Sequence, residues 1–159
     1  MPDTVDEMSD HDDAERARKQ RVSAEHTIVF GSLFEALQGR VSRYNERHRQ
    51  DFALPPAVSI DEEKEPLFSS KHSLKIQKNT EPRSSLTLDF PINSGAMQVE
   101  VSAKPQKLGG SVNLDIVNDT PTYYFGGKGH SAESLADLLL VAVLSSKEFL
   151  DAGRKIGFV

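Results

Sequence analysis

Residues 86–103 read LTLDFPINSGAMQVEVSA, and this stretch gives the strongest indication of the fold. Apolar and polar residues alternate on both sides of the turn-forming triplet Asn93-Ser94-Gly95. Alternation with a period of two places one set of side chains in a core and the other set in water, which is typical of antiparallel sheets with one covered face. The segment therefore predicts two neighbouring strands joined by a turn.

The same period of two extends to other parts of the chain. It is present around Leu74 and Ile76 and again over 112–116, and a further apolar segment follows at 122–125. Short connections rich in Asn, Gly and Pro separate these runs, so strands that are neighbours in sequence are expected to pair in space. The sequence predicts an antiparallel meander of four or five strands, and Val58 and Ile60 are compatible with one more short edge strand.

The end of the chain carries a helical pattern. Ser131 is the predicted N-cap and Gly153 the predicted stop signal. Residues 138–144 are an unbroken apolar run, so this helix is apolar on more than the one stripe that a sheet would cover. The predicted fold class is α+β, with an N-terminal helix, the meander sheet and a C-terminal helix packed on the sheet.

Charge is unevenly distributed along the 159 residues, although the net charge is only −5. Residues 1–15 contain seven acidic residues and no basic one, which predicts a disordered acidic tail. Residues 16–50 predict a basic amphipathic helix, in which Gly31 or Gly39 marks a break or a close backbone contact. Residues 51–70 predict an acidic, proline-containing connector, and 71–159 the core of sheet and C-terminal helix.

Several classes of function are disfavoured by composition and spacing. The chain has no cysteine, which excludes disulfides, thiolate metal sites and thiol nucleophiles. No apolar run approaches a membrane span and no secretory signal is present, so we expect a soluble intracellular, cytoplasmic protein without a membrane partner. The five histidines are scattered without ligand spacing, and no catalytic constellation is evident. We therefore expect no metal, no cofactor and no enzymatic activity.

The apolar surplus of the two predicted helices suggests a protein partner. One sheet of this size should not cover both the run 138–144 and the apolar face of the first helix, so a second copy of the chain or another protein is expected to complete the cover. The leading hypothesis is a non-catalytic protein-interaction or adaptor/regulatory module that self-associates. Its predicted interface residues are Leu140, Val141, Val143, Leu144, Phe30 and Phe34.

Nucleic-acid binding is the alternative hypothesis. Basic side chains on the first helix and the first strands would neutralise phosphates, whereas the ordinary interpretation is a solvated helical face. The net negative charge weakens electrostatic steering of a polyanion. The predicted contacts are Arg40, Arg43, Arg47, Arg49, Lys71, Lys75 and Lys78.

A glycine-rich segment between the last strand and the last helix suggests a third kind of site. Free backbone N–H groups at a helix N-terminus can bind an anion, but the order of residues matches neither common phosphate-binding motif. The ordinary interpretation is a tight turn that requires positive φ values. The predicted anion site comprises Gly126, Gly127, Lys128, Gly129 and Ser131.

Overall fold

A computed structural model describes residues 4–48, 56–63, 71–80, 83–103 and 106–145 of the chain. These residues form three helices and seven strands. In chain order the elements are α1 (Val5–Ala24), α2 (His26–Arg47), β1 (Val58–Glu63), β2 (Lys71–Lys78), β3 (Ser84–Pro91), β4 (Ala96–Ala103), β5 (Gln106–Val117), β6 (Thr120–Phe125), β7 (Lys128–His130) and α3 (Ala132–Leu144). In this part of the chain no helix combines the length and hydropathy that crossing a bilayer requires.

The strands form one antiparallel sheet in the order β1-β2-β3-β4-β5-β6-β7. The α+β class and the meander are therefore confirmed, but the prediction of four or five strands is wrong, since the described sheet has seven. The extra strands lie at its edges. The run around Val58 and Ile60 extends to Glu63 as β1, and Lys128–His130 folds back on β6 as β7.

Register aligns the apolar residues of successive strands on one face. One row across β2 to β5 contains Ile76, Leu86, Val101 and Leu108, all of them buried. A shift of one residue would turn each of these side chains to the opposite face, so burial fixes the register. The alternation read from the sequence therefore corresponds to one covered face, and we call the opposite face the outer face.

Helices α2 and α3 pack against the covered face and against each other. Their buried residues join those of the strands in one hydrophobic core. Among the hydrogen bonds that tie these helices to the sheet, two are buried: the Tyr123 hydroxyl donates to the Val29 carbonyl at 2.5 Å, and the Ser84 hydroxyl donates to the Val143 carbonyl at 2.5 Å. Burial raises the pKa of Tyr123 well above its ordinary value, so this hydroxyl remains a donor.

The N-terminal part differs from the prediction of a disordered tail followed by one helix. Residues 5–15 belong to α1, which starts where the Thr4 hydroxyl accepts a hydrogen bond from the Glu7 N–H at 3.1 Å. Acidic residues in the first turn complement the helix dipole, and Arg18 pairs with Glu15 one turn away. The two helices meet at Glu25 rather than at either glycine. Residues 1–3, 49 and 50 lie outside the described residues.

The connector and the C-terminal helix are described only in part. Within the predicted connector, residues 58–63 form β1, whereas 51–55 and 64–70 lie outside the described residues. The N-cap prediction is confirmed, because the Ser131 hydroxyl accepts from the Ser134 N–H at 3.1 Å. Helix α3 ends at Leu144, and the predicted stop at Gly153 also lies outside the described residues.

Candidate binding surface

The outer face of the sheet carries an open groove of about 560 Å³ across β3, β4 and β5. Cross-strand pairing places Thr87, Glu100 and Gly109 in one row and Asp89, Gln98 and Ser111 in the next. Val99 is buried toward the core, so it borders the groove through its backbone. We call this feature the groove, and its lining residues are Thr87, Asp89, Gln98, Val99, Glu100, Gly109, Gly110 and Ser111.

Gly109 leaves the floor of the groove open. It pairs with Glu100 in the middle of β5, where a side chain would otherwise stand on the outer face. A Cβ atom at this position would meet only the Val99 carbonyl oxygen, at an ordinary contact distance of 3.7 Å. A larger residue would therefore fit at this position without a steric clash. Because glycine has no side chain, it lets a ligand approach the backbone of the sheet closely.

Hydrogen-bonding groups and carboxylates form the sides of the groove. The Gln98 amide donates to the Ser111 hydroxyl at 3.3 Å. Asp89 accepts from the Ser73 hydroxyl at 2.6 Å and lies 3.7 Å from the Lys71 ammonium. Glu100 is exposed and has no ion-pair partner among the described residues. The groove thus offers several hydrogen-bond partners, and both of its charged lining residues are acidic.

A serine–histidine contact at the start of α3 lacks the third side chain of a catalytic triad among the described residues. The His130 Nδ1 and the Ser134 hydroxyl oxygen lie 3.0 Å apart in an exposed position at the start of α3. Nucleophilic catalysis needs a third group that orients the base and donors that stabilise an oxyanion. Within the described residues no third side chain is seen to orient His130, and Ser131, next to His130, serves as the helix cap.

The glycine-rich segment forms a hairpin between β6 and β7. Phe125 pairs with Lys128, so Gly126 and Gly127 are the two loop residues, with φ values of 61° and 78°. Positive φ at both loop residues is the requirement of a type I′ turn. Lys128 and Gly129 belong to β7, and the Ser131 hydroxyl already occupies an N–H of α3. The geometry accounts for the glycines without an anion, and anion binding stays a prediction.

Most residues of the predicted protein interface are buried within the single chain. Phe30, Leu140 and Val143 are at most 7 % exposed, and Phe34 and Leu144 are partly buried against the same core. Helix α2 covers the side of α3 that the sheet leaves open, so most of the apolar surface of the two helices is buried within one chain. Val141 remains 52 % exposed. Self-association stays a prediction, although the structure removes the argument from which it was drawn.

The predicted nucleic-acid contacts are divided between internal partners and solvent. Arg40 bridges to Glu133 at 2.5 Å and to Asp137, and the hydrogen bond with Asp137 is the main reason why the pKa of Arg40 is raised. Lys78 donates to the Leu144 carbonyl at 3.5 Å, at the end of α3.

Lys71 pairs with Asp89, while Arg43 and Arg47 on α2 and Lys75 on β2 are exposed. Lys75 lies on the outer face in register with Thr87, and α2 packs on the opposite face, so these cations form no single patch. Arg49 lies outside the described residues.

A pair of histidines was missed by the sequence analysis. His26 at the start of α2 and His72 in β2 are 46 residues apart in sequence, yet Nδ1 of His26 and Nε2 of His72 lie 2.8 Å apart. The Phe30 ring stacks on His72 at 4.7 Å between centroids. Burial, and then the neighbouring His26, lower the pKa of His72, while Glu62 acts in the opposite direction. Only spacing along the chain is visible in a sequence, so no signal there could have revealed this contact.

In comparisons with known proteins, no family model, no curated protein and no solved structure matches the chain. In the part of the chain that the structure describes, no group of three or more His, Cys, Asp or Glu residues is arranged to hold a metal ion.

Proposed function

We propose that the protein is a non-catalytic interaction module that binds an extended, basic segment of a partner protein in the groove. The observation that carries this proposal is Glu100, an exposed carboxylate in the lining of the groove, whereas the other lining carboxylate, Asp89, already pairs with Lys71. A lysine or arginine placed beside Glu100 would form a charge-assisted hydrogen bond with a group that lacks a cation in the described structure.

The open shape of the groove favours a peptide over a small metabolite. Its volume of about 560 Å³ is within the range of ligand sites, but small-molecule pockets enclose most of the ligand's surface. This groove is open to solvent along the sheet. The β4 and β5 backbone groups pair with each other, so recognition would depend on side chains and on close approach over Gly109.

Selection from a library of random peptides on the full-length protein tests the proposal. We expect the enriched peptides to contain lysine or arginine, and we expect a selected peptide to lose its affinity for the Glu100→Lys variant. The matched control is Glu46→Lys, which makes the same change of charge at an exposed position on α2. Fluorescence anisotropy of the labelled peptide measures the three affinities.

Two results would contradict this function. One is the absence of any peptide enriched above an empty support. The other is equal affinity of the selected peptides for the wild type and for Glu100→Lys, because binding would then occur elsewhere on the protein.

A further inference from the structure

The contact between His26 and His72 brings two imidazoles from separate elements to a distance that suits a shared ligand. We propose that the two histidines chelate a divalent transition-metal ion of the zinc class, through Nδ1 of His26 and Nε2 of His72. This site is separate from the groove and does not depend on the function proposed for it.

The two nitrogen atoms must separate slightly and the two rings must turn for both lone pairs to face one ion. Zn²⁺ binds imidazole nitrogen at about 2.0–2.1 Å, so two ligands of one tetrahedral ion lie about 3.3 Å apart. The nitrogens are 2.8 Å apart, which is a hydrogen-bond distance whose donor depends on the tautomers of the rings. With each ring's proton on its far nitrogen both lone pairs are free, and the ion is admitted when the nitrogens separate by about half an ångström and each lone pair turns by about 35° toward it.

The surroundings of the two rings favour a bound cation. Glu62 on β1 is close enough to act electrostatically on His72, and its negative charge favours a metal ion there. The Phe30 ring stacks on one side of His72, and the centroid of the Phe90 ring lies 6.0 Å from that of His72.

The chelate would link α2 to the sheet. His26 is the first residue of α2, and His72 lies in β2 opposite Phe90. Both histidines are partly exposed, so an ion can reach them from solvent. Two protein ligands leave the remaining coordination positions to water, and we therefore expect an affinity below that of structural zinc sites, which have four protein ligands.

Calorimetric titration of chelator-treated, full-length protein with zinc chloride at neutral pH tests the site. We expect one ion per chain, and thermal unfolding at a higher temperature when zinc is present, because the ion binds only the folded arrangement. Loss of an outer-shell partner already weakens metal binding about 10–100-fold, so His26→Ala and His72→Gln should each weaken it by at least about tenfold. The control is His48→Ala, since His48 is exposed and stacks on Tyr44.

Two results overturn the proposal: no heat of binding to the wild type at millimolar zinc, or affinities of His26→Ala and His72→Gln equal to that of the wild type. Circular dichroism checks the fold of each variant. If His72→Gln does not fold, His26→Ala decides the question alone, because its side chain lies at the partly exposed start of a helix.

Discussion

Replacing Gly109 with threonine is expected to stabilise the protein and close the groove at the same time. Glycine within a strand costs roughly 0.5–1 kcal/mol relative to alanine, since it loses more backbone freedom on folding. The β-propensity scale spans about 1 kcal/mol and favours β-branched residues. The φ angle of Gly109 lies outside the left-handed region, and its Cβ would meet one atom at 3.7 Å, so neither strain nor a clash opposes this gain.

We expect the free energy of unfolding of Gly109→Thr to rise by about 1 kcal/mol, which corresponds to about 2–4 °C in melting temperature for a chain of this size. The matched control is Gly127→Thr. Its Cβ would also find open space, but φ is +78°, and the left-handed conformation costs a threonine roughly 1–2 kcal/mol. Urea unfolding at equilibrium measures both variants.

The test is that the two substitutions change the free energy of unfolding in opposite directions. If Gly109→Thr destabilised the protein, the glycine would be required by the fold, and the groove could not be regarded as a surface kept open for a ligand. The same variant should also lose affinity for peptides selected on the wild type, because the new side chain stands beside Glu100 in the lining of the groove.

Three further results are expected. Gly95→Ala should lower the free energy of unfolding, measured in urea, by at least about 1–2 kcal/mol. The φ angle at this position is +68°, and the new Cβ would lie 3.0 Å from Cγ of Lys19 on α1. An unchanged free energy would contradict the close packing of α1 at this turn. Folding lowers the pKa of His72, so the unfolded chain takes up its proton at a higher pH than the folded chain does. The free energy of unfolding should therefore fall as the pH drops below about 6.5. Urea titrations at several pH values should show a weaker pH dependence for His72→Phe, and an unchanged dependence would contradict the assignment to His72. Val141→Glu should convert any dimer seen by light scattering into monomer, whereas equal masses for both proteins would contradict self-association through α3.

Local patterns in the sequence were sufficient for strands β2 to β6, for the turn at 93–95 and for one helix cap. The alternation over 86–103 fixes which side chains of β3 and β4 face the core, because strand geometry has a period of two whatever the rest of the fold does. Ser131 was identified as an N-cap for a similar reason, since a cap depends on residues within one turn of helix. The sequence did not predict the full length of β1 and did not predict β7 as a strand, because three to six residues carry too little periodicity to distinguish a strand from a connector.

The sequence determined by itself that one face of the sheet is apolar and that α3 has more apolar surface than that face can cover. Only the tertiary structure decided that α2 of the same chain provides the cover, that Arg40 pairs with Glu133 and Asp137, and that His26 meets His72. The three side-chain pairs among these outcomes join residues 46 to 97 positions apart. A side chain's periodicity is set by its nearest neighbours in the chain, whereas its partner across such a distance depends on how the whole backbone folds.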